Sequence, residues 1–158
     1  MSKHIILSPD PGNPWESQAV FNPCPIKHKD KFYILYRSQS ETKNYQGHDL
    51  SLSTISIAES SDGVTNFTNR RTLIWPEFDW ELFGCEDPRV TKIGDTYYIF
   101  YTALSSYPPR PDSIKIALAT TKDLKTIDSK HLITPFNAKA ATLFPQKIDG
   151  KYTLALTV

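Results

Sequence analysis

The chain has 158 residues, a formal net charge of +1 and 39% hydrophobic residues, the make-up of a folded protein with material for a core. Near-neutral charge without a basic run argues against nucleic acid as a partner, and apolar runs of only a few residues argue against a membrane span. Met1 to Asn13 offers one short "IIL" before "SPDPGNP", too little for a signal peptide, so a cytoplasmic address is expected.

The first predicted element is the stretch Trp15 to Arg37, "WESQAVFNPCPIKHKDKFYILYR", an extended segment, a turn signal at "KHKD" and a β-branched and aromatic strand. A long loop, "SQSETKNYQGHDLS", leads to Ile55-Ser56-Ile57-Ala58 before "ESSDG". The same order then recurs. Trp80 to Thr102, "WELFGCEDPRVTKIGDTYYIFYT", overlays the first stretch without a gap at an offset of 65, and Asn22 falls on Asp87. The loop "SSYPPRPD", stiffened by Pro108, Pro109 and Pro111, leads to Ile116-Ala117-Leu118-Ala119 before "TTKDL". Both long loops are expected to follow inner strands and to wall a central funnel. A third copy opens at "TLFPQKIDGKYTLALTV", with Phe144-Pro145 in place of Asp87-Pro88.

No window has convincing helical periodicity, so the chain is all-β. Repeating units of short strands with one loop motif at a fixed place suit a β-propeller better than a sandwich. The units run over about residues 14–78, 79–140 and 141–158, roughly two and a half blades of a single incomplete propeller domain, whereas propellers close with at least four. Self-association or a missing C-terminal half would complete the ring. Cys24 and Cys85 form no CxxC pair and are expected as two buried thiols, and His4, His28, His48 and His131 lack ligand spacing, so no metal site is expected.

"GCEDPRV", Gly84 to Val90, stands out for its charge. A residue before proline tends to be extended, which would set Asp87 and Arg89 on one face and turn Glu86 away. Asn22, Asp87 and Arg89 would then ring the channel mouth. Residue types alone leave two readings about even: a polar site, or an Asp87–Arg89 ion pair tying blade to blade. Trp15 and Trp80 repeat, which suits packing, and Tyr33, Tyr36, Tyr98 and Tyr101 read mainly as packing residues too.

"GCEDPRV", together with "FNPCPI…FYILYR", "ISIAESSDG" and "LFPQKIDGKY", resembles glycoside hydrolase family 130, from about Pro14 to Tyr152. The resemblance implies the N-terminal half of a five-bladed propeller that cleaves β-mannosides or related glycosides with inversion. It implies Asp87 as proton donor, acting on the leaving oxygen through a sugar hydroxyl. Asn22, Arg37, Glu86, Arg89 and Lys139 are the substrate-binding candidates, with no cofactor and with inorganic phosphate as a co-substrate if cleavage is phosphorolytic. The His-Arg pair that such phosphorylases often carry after "GKY" is here Leu156-Thr157; an expected Arg-Asn is Phe136-Asn137, and an acidic position is Ala140. These departures raise hydrolysis, for which Glu86 is the only visible candidate base. The alternative is a non-catalytic propeller fragment that binds a carbohydrate or a protein.

Overall fold

The computed structural model describes residues 4–158, almost wholly as antiparallel β-structure. The strands of the first unit are β1 (Ala19–His28), β2 (Lys31–Gln39), β3 (Lys43–Tyr45), β4 (His48–Leu50), β5 (Ser53–Ser60) and β6 (Thr68–Ile74). β1, β2, β5 and β6 pair in that order as a four-stranded meander, and β3 and β4 form a separate hairpin within the loop after β2. The second unit repeats the meander with β7 (Gly84–Ile93), β8 (Thr96–Leu104), β9 (Ile114–Thr121) and β10 (Ser129–Leu132). β11 (Ala140–Leu143) and β12 (Leu154–Thr157) pair as the start of a third sheet.

Each meander opens with the predicted hairpin. β1 and β2 are joined through Lys29 at φ 54°, and β7 and β8 through Gly94 at φ 60°. The turns at "ESSDG" and "TTKDL" also match: Asp62 accepts the N–H groups of Val64 and Thr65, and Asp123 those of Lys125 and Thr126. Gly63 and Leu124 take the left-handed position of these turns at φ 72° and 59°. Gly63 is required there, because a Cβ would lie 2.7 Å from the Phe32 ring.

Side-chain alternation along the second strands builds the core. Tyr33 and Leu35 of β2 meet Tyr97, Ile99, Tyr101 and Ala103 of β8 in one buried cluster between the first two sheets. Ile34 and Tyr36 point to the opposite face of the first sheet, and Phe100 points from the second sheet to Ala141 and Leu143 of the third. The first strands β1, β7 and β11 lie side by side in succession. Successive antiparallel sheets therefore stack face to face with their first strands side by side, an all-β architecture built from a repeated meander. The two long loops follow β2 and β8, the second strands of their sheets.

Beneath each repeated "WE" lies a buried carboxylate. Glu16 accepts from Tyr36 Oη at 2.6 Å, Asn13 Nδ2 at 2.7 Å and Arg70 Nη1 at 3.2 Å. Glu81 accepts from Tyr101 Oη at 2.6 Å and Lys130 Nζ at 2.8 Å. Each group of contacts joins the segment before a sheet, its second strand and its last strand. The low-dielectric setting raises both tyrosine hydroxyls far above their ordinary range, with burial the largest cause. Tyr36 and Tyr101 are therefore donors to a buried anion as well as packing residues. The tryptophans are only half-buried: Trp80 lies against the core and stacks on Phe78 at 5.2 Å, whereas Trp15 lines a pocket. Cys85 is buried as expected, but Cys24 is half-buried and its Sγ accepts the Val90 N–H at 3.3 Å.

Removing one partner of a buried ion pair leaves an uncompensated charge. Glu81→Ala, which takes from Lys130 its buried partner, leaves it only the more exposed Glu77 at 3.1 Å and orphans the Tyr101 hydroxyl, is expected to cost about 3 kcal/mol, measured as a shift in the urea unfolding midpoint of the intact protein. A loss below about 1 kcal/mol, the range of an exposed pair, would contradict a structural role for this carboxylate.

Candidate active site

β1 and β7 are each interrupted at the same repeat position. Pairing with the second strand shifts register between Phe21 and Cys24 in the first sheet, and between Glu86 and Arg89 in the second. Within these bulges Asn22 has φ 52° and Asp87 φ 54°. Asn and Asp are the non-glycine residues that tolerate this left-handed region best, and bulges re-aim side chains. Asp87 is thus not extended, as its place before Pro88 suggests, and the expected alternation of faces fails with it. Glu86 and Asp87 are brought to one cation.

That cation is Arg37, which lies opposite Phe21 in the β1–β2 register. Its guanidinium sits 4.6 Å from the Phe21 ring centroid, and its Nε donates to Ser53 Oγ at 3.0 Å. Thus oriented, Nη2 reaches Glu86 Oε1 at 2.6 Å and Nη1 lies 3.6 Å from Asp87 Oδ1. Asn22 Nδ2 donates to the same Oδ1 at 2.6 Å. Asp87 Oδ2 accepts no hydrogen bond from the described residues. The Asp87 side chain retains 14% of its exposure, against 7% for Glu86. Lys139 Nζ approaches Glu86 Oε2 at 3.8 Å with its side chain largely in solvent. Its backbone is anchored, since Lys139 O accepts from Thr102 Oγ1 and Lys139 N donates to Thr157 O at 3.2 Å.

Glu86 experiences opposing influences. Burial pushes its carboxyl above the usual range, Arg37 and Lys139 pull it down, and the Asp87 charge adds to the upward push; the net direction is upward. Arg89 stands apart from this cluster. It is exposed, its Nη1 donates to Pro88 O at 2.9 Å, and it forms no ion pair with Asp87 among the described residues. It borders a hollow of about 260 Å³ lined also by Ala140, Leu156 and Thr157.

Of the six residues singled out in the sequence, Asn22, Arg37, Glu86 and Asp87 converge, Lys139 stands at the edge, and Arg89 faces elsewhere. The Asp87–Arg89 pair is replaced by one between sheets. Phe21 and Ser53, which orient the guanidinium, carry no chemical signature in the sequence. Their only signal is position: Phe21 pairs with Arg37 across β1 and β2, and Ser53 opens β5 beside it.

The family model described as beta-1,4-mannooligosaccharide phosphorylase, glycoside hydrolase family 130, matches residues 5–158. A 1,2-beta-oligomannan phosphorylase of Thermoanaerobacter sp. (strain X514) is 33% identical over 98% of this chain and 51% of its own length. A crystal structure of a putative glycoside hydrolase from Bacteroides ovatus ATCC 8483 superposes with a TM-score of 0.74 at 25% identity, covering 96% of this chain and 50% of the other. A second structure, from work on glycoside hydrolases of the GH130 family that target beta-1,2 mannosidic linkages in Candida mannan, superposes at 0.68 with 25% identity over 96% of this chain and 50% of its own. The chain spans about half the length of the curated relatives it matches first.

The Glu86 environment has a measurable consequence. A carboxyl raised in the folded state favours folding when protonated and loses that advantage as pH rises from its unfolded value, about 4.3, through its folded value. The unfolding free energy of the intact protein relative to its Glu86→Gln variant should therefore fall as pH is raised from 4 towards neutrality. Parallel pH profiles would show that burial does not govern this group.

Proposed function

The chain belongs to glycoside hydrolase family 130, and we propose that the protein cleaves β-mannosides with inversion on a five-bladed propeller to which residues 1–158 contribute about two and a half blades. In this reading the repeat units at 14–78, 79–140 and 141–158 are successive blades, and further blades or partner chains complete the ring around the Asp87 cluster. The observation that carries the reading is the state of Asp87: Oδ1 is held by Asn22 and Arg37, while Oδ2 has no bond to the described residues. A carboxyl fixed through one oxygen can present the other to a substrate with little reorganisation.

Asp87 is the proton donor in this mechanism. Its proton passes to a hydroxyl of the bound mannoside, and that hydroxyl gives up its own proton to the leaving glycosidic oxygen as the bond to the anomeric carbon breaks. The nucleophile enters from the opposite face, which inverts the anomeric centre. Arg37 and Asn22 orient the carboxyl and stabilise the carboxylate it becomes. Glu86 shares the Arg37 guanidinium with Asp87, so it stands beside the acid and not across the sugar from it. It therefore serves to position Arg37, and it is not the base that activates water. Lys139, exposed at the rim, is the side chain best placed to meet substrate hydroxyls or an anion.

The relatives named as phosphorylases favour phosphate as the nucleophile. One observation favours water. The positions where the resemblance leads one to expect anion ligands carry Leu156-Thr157, Phe136-Asn137 and Ala140, which leaves Lys139 as the one cation retained there. We take hydrolysis as the working assignment, in which the proton lost by the attacking water passes to a carboxylate supplied by the blades or partner chains that complete the ring.

Asp87→Asn in the intact protein should abolish release of mannose from a β-mannobiose while leaving sugar binding by calorimetry largely intact. Unchanged turnover in this variant would remove Asp87 from the chemistry. Inorganic phosphate should leave the cleavage rate of the parent protein unaltered, and appearance of a mannose 1-phosphate would assign phosphorolysis instead.

A further inference from the structure

The loop after β2 encloses a pocket of about 300 Å³ that has no part in the chemistry above. Trp15, Tyr45 and Trp75 line it, with Ser40 and Asn44 among its polar neighbours. Three aromatic rings around a space at the small end of the ~300–1,000 Å³ typical of ligand sites would ordinarily be filled by the protein's own core. Here Trp75 keeps 44% of its exposure. The Trp15 indole Nε1 is the one buried side-chain polar atom without a hydrogen-bond partner among the described residues. Buried donors ordinarily have a partner, and none of the described acceptors reaches this one.

Trp75 also borders an open groove of about 680 Å³ between β6 and β10, lined by Phe78, Glu77, Asp128 and Ser129 among others. Phe78 is 44% exposed and is backed by Trp80 at 5.2 Å with the rings 7° from parallel. Exposed flat rings set among carboxylate, amide and hydroxyl groups match a pyranose chain. Its C–H faces stack on rings, and its hydroxyls need acceptors and donors spaced between them. A protein partner would call for a wider apolar surface than a pocket with a polar rim.

The position of the pocket ties it to the cluster at Asp87. Leu52 is part of the pocket wall, and the next residue, Ser53, accepts the hydrogen bond that orients Arg37. Ser40 lines the pocket directly after the end of β2, three residues beyond Arg37. The pocket therefore opens at the same end of the first sheet as the candidate active site, displaced from the first strands towards the outer strand β6, which ends immediately before Trp75.

We propose that Trp15, Tyr45 and Trp75 form a distal subsite that binds the far end of a long mannooligosaccharide whose near end lies at Asp87. The proposal rests on the mannoside reading above and extends it from linkage to chain length. The Trp75 indole is the platform, and Tyr45 closes the pocket from the β3–β4 hairpin.

The test uses the intact protein with a β-linked mannotetraose and the corresponding mannobiose. Trp75→Ala should raise KM for the tetraose about three- to tenfold, the effect of one lost stacking contact, with kcat and the mannobiose KM unchanged. Trp75→Phe, which keeps a ring, should recover most of the difference. In an Asp87→Asn background, calorimetry should show tetraose binding weakened by Trp75→Ala and mannobiose binding unaffected. Equal effects on both chain lengths, or none, would overturn the proposal. So would a change in sedimentation behaviour, which would make the groove an interface between copies. If the parent protein turns over no β-mannoside, the function assigned to Asp87 fails, and the calorimetric comparison in the Trp75 single variant still decides this site on binding alone.

Discussion

Two adjacent carboxyl groups drawn into a seam between β-sheets repel each other when charged, and in this molecule a guanidinium from the neighbouring sheet stands against both. Arg37 belongs to the first sheet and Glu86 and Asp87 to the second, so the site exists only when the two sheets are packed. Nothing in either sheet alone would hold Asp87 Oδ1 in place. The buried cluster formed by Leu35, Ile57, Tyr97 and Ile99 fixes the spacing of the sheets, and the polar seam inherits that spacing. The Phe21 ring and Ser53 then remove most of the rotational freedom of the arginine. Core packing and site geometry are in this sense one constraint acting at two depths.

The bulge adds direction to what packing brings near. Had β7 continued as a regular strand, Glu86 and Asp87 would point to opposite faces, and one guanidinium could not serve both. The left-handed conformation at Asp87 breaks the alternation at a cost that aspartate bears more readily than most residues. Asn22 repeats the same backbone state in the first sheet and donates across the seam to Asp87 Oδ1. The two bulges thus face each other with complementary side chains, an amide against a carboxyl. The third unit, with Phe144 in this place, carries no left-handed residue there.

Much of this was legible in the sequence because repetition exposes backbone. The offset of 65 predicted two equivalent sheets, and the turn signals placed their first hairpins where β1–β2 and β7–β8 are found. Candidate residues at the bulge were found from residue type and resemblance, and four of the six converge. The error came from a local rule: a residue before proline is usually extended, but tertiary pairing selected the rarer left-handed state, and the expected common face of Asp87 and Arg89 went with it. Glu16 and Glu81 were visible only as part of a repeated dipeptide. Their burial depends on Arg70 and Lys130, 54 and 49 residues away, and no short-range pattern reports such a contact.

The two kinds of repeated feature separate structure from chemistry. Glu16 and Glu81 occupy equivalent places, are both fully buried, and each takes a tyrosine and a cation as partners, so their conservation between units answers a need that every sheet has. Asp87 has an equivalent backbone but not an equivalent acid, because Asn22 stands in the first unit; chemistry placed on a repeated frame has no reason to repeat. Trp15 and Trp80 show a third case. The residue repeats, but one indole stacks on Phe78 against the core while the other borders a pocket with its N–H unsatisfied. The frame that makes Trp80 structural cannot by itself account for Trp15. What differs is the loop after each second strand: the first folds back as the β3–β4 hairpin beside Trp15, the second is shorter and proline-rich, and the pocket belongs to the first alone.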